Sequence, residues 1–265
     1  MSRRIALRVA YDGTDYAGWQ TQSNATAVQE VIEKALKKLE KSEEKISLTG
    51  ASRTDAGVHA LGQMAHFDTD SRIPAEKYSY ALNTLLPPDI RIEQSMEVAP
   101  NFHARFSTAG KVYAYTIWNA PHASPLMSRY AMHVPVPLDA QKMHRAAQEV
   151  VGVHDFSAFM ASGGTSKDFV REMKAAQVSV SGNQLCFMVW GTGFLYNMVR
   201  IMAGTLILIG QDKLPEDAFS RAIKSGNRLD LGVTAEAQGL TLMRVLYPGQ
   251  EEDAKAILSS KFLFA

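Results

Sequence analysis

The 265-residue sequence is short of the features that mark several large protein classes. It holds one cysteine, Cys186, so an intrachain disulfide is impossible, a usage that suits a reducing compartment. Cys186 lies in the apolar run 185–190 and reads as strand packing rather than as a nucleophile. No apolar stretch approaches the roughly 18 residues that a membrane span needs. Met1-Ser2-Arg3-Arg4 leads straight into an alternating pattern instead of an apolar signal core, so a cytoplasmic location away from any membrane is expected. Neither sign of charge is in excess: 28 basic residues face 27 acidic ones, and a net charge of +1 gives no hint of a polyanionic partner. No glycine-rich phosphate loop ending in Lys-Ser/Thr occurs, nor a dinucleotide fingerprint. The seven histidines are scattered and no cysteine pair exists, which argues against a structural zinc site, and no metal is expected.

What is present is hydrophobic periodicity. Ile5, Leu7, Val9 and Tyr11 alternate with Ala6, Arg8 and Ala10, a period-2 strand. Thr26 followed by Gln29 has the form of a capping box, and Val28, Val31, Ile32, Ala35, Leu36 and Leu39 then share one helical face. The pattern predicts a strand near 46–48, an apolar stretch at 64–67, a helix over 74–86 stopped by Pro87-Pro88, and extended chain over 90–98. Further on it predicts a strand at 111–118, a helix at 139–151, a hairpin of 173–181 and 184–190, a helix at 194–209 and a last strand at 241–247. Loops are expected over the Pro-rich 121–137 and over 160–172. Two successive strand–helix–strand units imply an α+β protein with a duplicated core of mostly antiparallel sheet. The expected division is an N-terminal half, 1–100, and a C-terminal half, 101–265.

One polar, glycine-bounded segment stands out: Ala51-Ser52-Arg53-Thr54-Asp55-Ala56-Gly57-Val58-His59-Ala60. Loops of this kind carry side chains to a surface on a rigid scaffold. Arg53, two residues before Asp55, favours the charged form of that carboxylate, which a carboxylate nucleophile or base requires. The bland reading is a turn-forming aspartate, and by pattern alone it is the commoner one. The order Thr-Asp-Ala-Gly is not that of an aspartic protease, and no second copy supplies a dyad. His59 and His66 sit among core-like residues and read as hydrogen-bonded histidines rather than metal ligands.

Taken with Gly62-Gln63 and His66-Phe67, this segment resembles the signature of the TruA family of tRNA pseudouridine synthases. Tyr11-Asp12-Gly13, Gly18-Trp19-Gln20, Val28-Gln29-Glu30, Leu86-Pro87-Pro88-Asp89-Ile90 and Phe102-His103-Ala104-Arg105-Phe106-Ser107 are similar to further motifs of that family. So are Tyr113-x-Tyr115, Met198-Val199-Arg200, Gly204-Thr205, Gly239-Leu240 and Tyr247, so the likeness spans about 4–247. Two departures occur: Ser52 stands where the family usually has Gly, and Glu236-Ala237-Gln238 precedes Gly239-Leu240 where Pro-Ala-Glu is common.

The resemblance implies isomerisation of uridine to pseudouridine in the anticodon stem-loop of tRNA, positions 38 to 40, with Asp55 as the catalytic aspartate. It implies that Arg53 helps displace the target base, that Tyr113 stacks on it, and that Arg200 pairs with Asp55. From the residues alone, Arg53 also reads as a surface counter-charge, and Tyr113 and Tyr115, on one strand face, as core. Arg200 lies within an apolar helix, where an unpaired charge is costly, so it needs a partner. The implied fold is that of pseudouridine synthases, two RRM-like halves meeting at a cleft. No cofactor is implied, and a homodimer is. A member acting at other tRNA positions, or a catalytically silent RNA-binding protein, are the alternatives.

Overall fold

The computed structural model describes residues 2–260. In chain order the elements are β1 (Arg3–Tyr11), α1 (Val28–Glu40), β2 (Thr49–Gly50), β3 (His59–Thr69), α2 (Lys77–Asn83), β4 (Ile90–Val98), β5 (Gly110–Asn119), β6 (Met132–Val134), α3 (Ala140–Gln148), β7 (Gly152–Asp155), β8 (Val170–Ser181), β9 (Gln184–Gly191), α4 (Met198–Gly210), α5 (Ala218–Ser225), β10 (Leu240–Leu246) and α6 (Glu251–Ser260). Two compact units are formed, one of residues up to Ala109 with Leu242–Pro248, the other of Gly110–Thr241 with the residues from Gly249 on. Among the described residues no helix is long and apolar enough to cross a membrane.

In the first unit β1 pairs antiparallel with β3 on one side and β4 on the other, Ile5 standing opposite both Phe67 and Glu97. β2 adds to β3 through Thr49 and Gly50, and β10 lies next to β3 as well. Ile5, Leu7 and Val9 are fully buried, as their alternation predicts, but so is Ala6. The strand is therefore covered on both faces at that point. Helix α1 turns Val28, Ile32, Ala35 and Leu36 inward. Burying each large aliphatic side chain contributes roughly 1.5–3 kcal/mol.

The ends of these helices differ from the sequence pattern, and tertiary bonds explain why. The expected capping box at Thr26 does not form: Ala27 is the N-cap, with no side-chain cap. Gln29 is engaged elsewhere, accepting from the Thr21 N–H at 3.1 Å and donating to the Leu48 carbonyl at 2.8 Å. Helix α2 is shorter than the predicted 74–86. It stops at Asn83, whose amide leaves the helical pattern to bond both the N–H and the C=O of Ile92 on β4, at 2.8 and 2.9 Å.

The second unit is built on the antiparallel run β5–β9–β8–β7, with β6 joining β5 in parallel at Ile117 and Met132. The 173–181/184–190 hairpin is present, slightly longer, and Cys186 is buried in its second strand. Burial pushes the Cys186 thiol up to about 12, so it is packing and not a thiolate. Helix α3 begins where Asp139 caps it, the side chain accepting from the Gln141 and Lys142 N–H groups. Helix α4 starts at Met198 rather than at 194, because Asn197 takes a left-handed conformation with φ 60°. It is buried almost throughout, and Gly204 admits the Val233 carbonyl at a distance no side chain could tolerate. The expected loop at 121–137 contains β6, and that at 160–172 ends where β8 begins at Val170.

Candidate active site

The polar segment 51–60 is an irregular lead-in to β3 whose fixed points alternate with accessible ones. Ala51, Thr54, Val58 and His59 are buried, while Arg53 and Ala56 are exposed and Asp55 is half-buried. Each buried residue is tied down. Gln63, which is 0% exposed, closes the entry: its amide donates to the Ser52 carbonyl at 2.7 Å, and its oxygen accepts from the Ser52 and Met64 N–H groups at 3.2 Å. Thr54 bonds the Tyr11 hydroxyl at 2.8 Å through Oγ1, and its carbonyl accepts from the Trp19 N–H at 3.1 Å. The exit is held by His59, whose Nδ1 accepts from the Gly13 N–H at 3.0 Å, with Asp12 Oδ1 3.2 Å from the same nitrogen.

Between those anchors Asp55 opens a turn. Its carbonyl accepts from the Val58 N–H at 3.1 Å, and Gly57 supplies the positive φ, 77°, that the third position of a type II turn requires. Two glycines let the backbone close around this turn. A Cβ on Gly13 would lie 2.0 Å from the Val58 carbonyl oxygen. One on Gly18 would lie 2.3 Å from that of Thr54 and 3.0 Å from the carbonyl carbon of Asp55. The carboxylate therefore projects from backbone held on both flanks, which is the pre-organisation that a catalytic group needs.

His66 behaves as the sequence suggests, its Nδ1 accepting from the Ala104 N–H at 3.1 Å. Burial, helped by the nearby Arg4 and His103, pushes the His66 imidazole down to about 4, so it stays neutral. Among the described residues no three His, Cys, Asp or Glu side chains gather as a metal ion would need.

The other two candidate residues belong to the second unit. Tyr113 on β5 is 6% exposed and meets Phe194 edge to face, with ring centroids 5.1 Å apart. Arg200 on α4 is half-buried, its Nε donating to the Ala235 carbonyl at 2.8 Å and Nη1 to the Asn197 side chain at 2.9 Å. Those two oxygens orient the guanidinium. Tyr115 is core, as expected: its hydroxyl donates to the Glu236 carbonyl at 2.8 Å, and its ring fills the space against Gly239.

A family model described as tRNA pseudouridine synthase matches residues 7–107 and 146–248. The chain belongs to the tRNA pseudouridine synthase family. The tRNA pseudouridine synthase A of Ruminiclostridium cellulolyticum is 52% identical over 246 residues, covering 92% of this chain and 100% of that one. That of Acetivibrio thermocellus is 47% identical over 245 residues, with the same coverage. A solved Cbf5–Nop10–Gar1 complex matches at TM-score 0.37 and 13% identity, covering 90% of this chain and 49% of that chain. The chain is thus an isomerase with the α+β fold of pseudouridine synthases.

The family motifs outside the 51–60 segment acquire a physical meaning in this geometry. Tyr11, Gly13, Gly18 and Gln63 all converge on the turn that holds Asp55. All four stand in the family motifs, but no local pattern in the sequence marks them for this role. The departure at Ser52 is mild for this clamp, because Gln63 grips the backbone of that residue. Glu236 likewise serves Tyr115 through its carbonyl.

Proposed function

We propose that this chain converts uridine to pseudouridine in the anticodon stem-loop of tRNA, with the Asp55 carboxylate carrying the reaction. The observation that supports this most is a half-buried carboxylate at the head of a turn pinned on both flanks, two residues after an exposed arginine. The substrate class follows the family and the named relatives.

The reaction breaks the bond from uracil N1 to ribose C1′, turns the base and joins C1′ to C5. A proton leaves C5 and one is taken up at N1, so atoms and electrons balance with no oxidant, reductant or cofactor. Asp55 adds to the base or acts at the sugar, and either role needs an ionised, positioned carboxylate. Arg53 fills the gap that the displaced base leaves in the stack, offsetting a cost of a few kcal/mol. Tyr113, braced by Phe194, stacks on the extruded uracil, and its hydroxyl serves the C5 proton. Arg200 supplies the counter-charge to Asp55. The working unit is a cytoplasmic homodimer, since a chain of net charge +1 covers a whole tRNA better with two copies of one basic patch.

The test is incubation with unmodified tRNA followed by mapping of pseudouridine. Wild type should modify the anticodon arm, and Asp55→Asn should lose turnover by several orders of magnitude. Its tRNA affinity should change by less than about tenfold, because phosphate contacts dominate affinity. Pseudouridine elsewhere in tRNA overturns the assigned position, and turnover of Asp55→Asn near wild type overturns its role. A monomer at micromolar concentration in sedimentation overturns the dimer.

A further inference from the structure

The turn after β4 carries a side-chain arrangement that the reaction does not use. Phe106 is 76% exposed, and the exposed Arg105 lies beside it with its guanidinium carbon 5.7 Å from the ring centroid. His103 supports the ring from another side, with centroids 4.3 Å apart and planes inclined by 32°. An apolar ring in water on a mobile loop carries no information, but this turn is built. The Ser107 N–H donates to the His103 carbonyl at 2.9 Å, and Ser107 Oγ accepts from the His103 N–H at 3.0 Å. His103 Nδ1 accepts from the N–H groups of Arg105 and Phe106, at 3.1 and 3.3 Å.

The same turn is bolted to the first unit. The Ala104 N–H donates to His66, its carbonyl accepts from the Tyr247 hydroxyl at 2.9 Å, and the Phe102 carbonyl accepts from Arg4 at 2.7 Å. An aromatic held this way loses little conformational freedom when something stacks on it. Its neighbours decide the partner. Arg105 puts an exposed guanidinium beside the ring, and no second exposed large apolar side chain in this turn widens Phe106 into the broad apolar centre of a protein-docking face. A ring beside a cation matches a nucleobase beside its phosphate.

We propose that Phe106 is a stacking platform for an unpaired nucleobase of the RNA substrate, with Arg105 taking the adjoining phosphate. This rests on the proposed function in taking RNA as the partner. It adds a binding site outside the Asp55 turn, one that holds the tRNA and does no chemistry.

The experiment measures binding of an unmodified tRNA transcript across a range of salt, with pseudouridine formation followed alongside. Phe106→Ala and Phe106→Leu should both bind roughly 5- to 100-fold more weakly, while Phe106→Trp stays within about threefold of wild type. Arg105→Ala should reduce the slope of log affinity against log salt by about one, and the Phe106 variants should leave that slope unchanged. An unchanged melting temperature confirms that these exposed substitutions leave the fold intact. Wild-type affinity in Phe106→Ala overturns the proposal. So does a Phe106→Leu variant that binds normally, since apolar bulk without a π face would then suffice. A wild-type enzyme that makes no pseudouridine yet binds RNA through Phe106 removes the proposed reaction and leaves the platform standing.

Discussion

Gly18→Ala is the substitution that most directly separates the stability of this fold from the placement of Asp55. Gly18 has φ 88°, and its absent side chain would meet the Thr54 carbonyl oxygen at 2.3 Å, the Asp55 carbonyl carbon at 3.0 Å and the Ala56 nitrogen at 3.2 Å. All three are backbone atoms, so no flexible side chain can swing aside. Ordinary contact begins at 3.4 Å, so the turn must retreat by about 1 Å. The left-handed backbone costs an alanine roughly 1–2 kcal/mol, and overpacking costs about 1–3 kcal/mol more. At about 2–4 °C per kcal/mol for a chain of this size, the melting temperature should fall by roughly 4–20 °C. The catalytic effect should be larger in proportion, because a displacement of about 1 Å costs on the order of 100-fold in rate. Single-turnover pseudouridine formation, tRNA binding and thermal melting are read together. Gly249→Ala is the control: it has the same φ, 88°, with nothing within 4 Å of the added carbon. It carries the dihedral cost alone and should keep full turnover. Turnover of Gly18→Ala within about threefold of wild type would refute the idea that this glycine sets the position of Asp55.

Three further outcomes follow from the same geometry. Gln63→Leu leaves the half-buried Ser52 N–H and C=O without their clamp, at about 1 kcal/mol for each bond lost, so it should lower the melting temperature and slow turnover with little change in tRNA affinity. His66 has its folded-state pKa depressed to about 4 from 6.5; its contribution is fully present above pH 6.5 and is lost as pH falls towards 4. Melting curves over that window should show wild type losing stability that His66→Gln, whose amide oxygen can accept the Ala104 N–H, does not lose. Arg53→Lys keeps the charge and loses the planar fork; it should fail on structured tRNA more than on a short single strand, and equal loss on both would assign Arg53 to charge balance alone.

Much of this molecule is written in local pattern. The β1 alternation, the inward face of α1 and the hairpin of β8 and β9 depend on residues two to four positions apart, and sequence periodicity records that relation directly. The hydrophobic pattern predicts neither α5 nor α6, although Glu251, Glu252 and Asp253 give α6 the acidic first turn that favours a start. The Asp55 segment was legible as chemistry because arginine, aspartate and glycine gathered in a polar stretch that leads into core.

Where the elements stop, and what holds the Asp55 turn, depended on residues far apart in the chain. Gln29 gives its amide to Leu48 rather than to a capping box, Asn83 ends α2 by pairing with Ile92, and Tyr247 returns to seat Ala104. Tyr11, Gly13, Gly18 and Gln63 are ordinary residues until the backbone of 52–59 lies against them. Such bonds join partners whose separation leaves no periodic trace, because hydrogen bonding and close packing act through space, whereas local pattern reports only on neighbours along the chain. The sequence alone therefore determined which residues were available for the chemistry, and the tertiary structure decided how rigidly Asp55 is held.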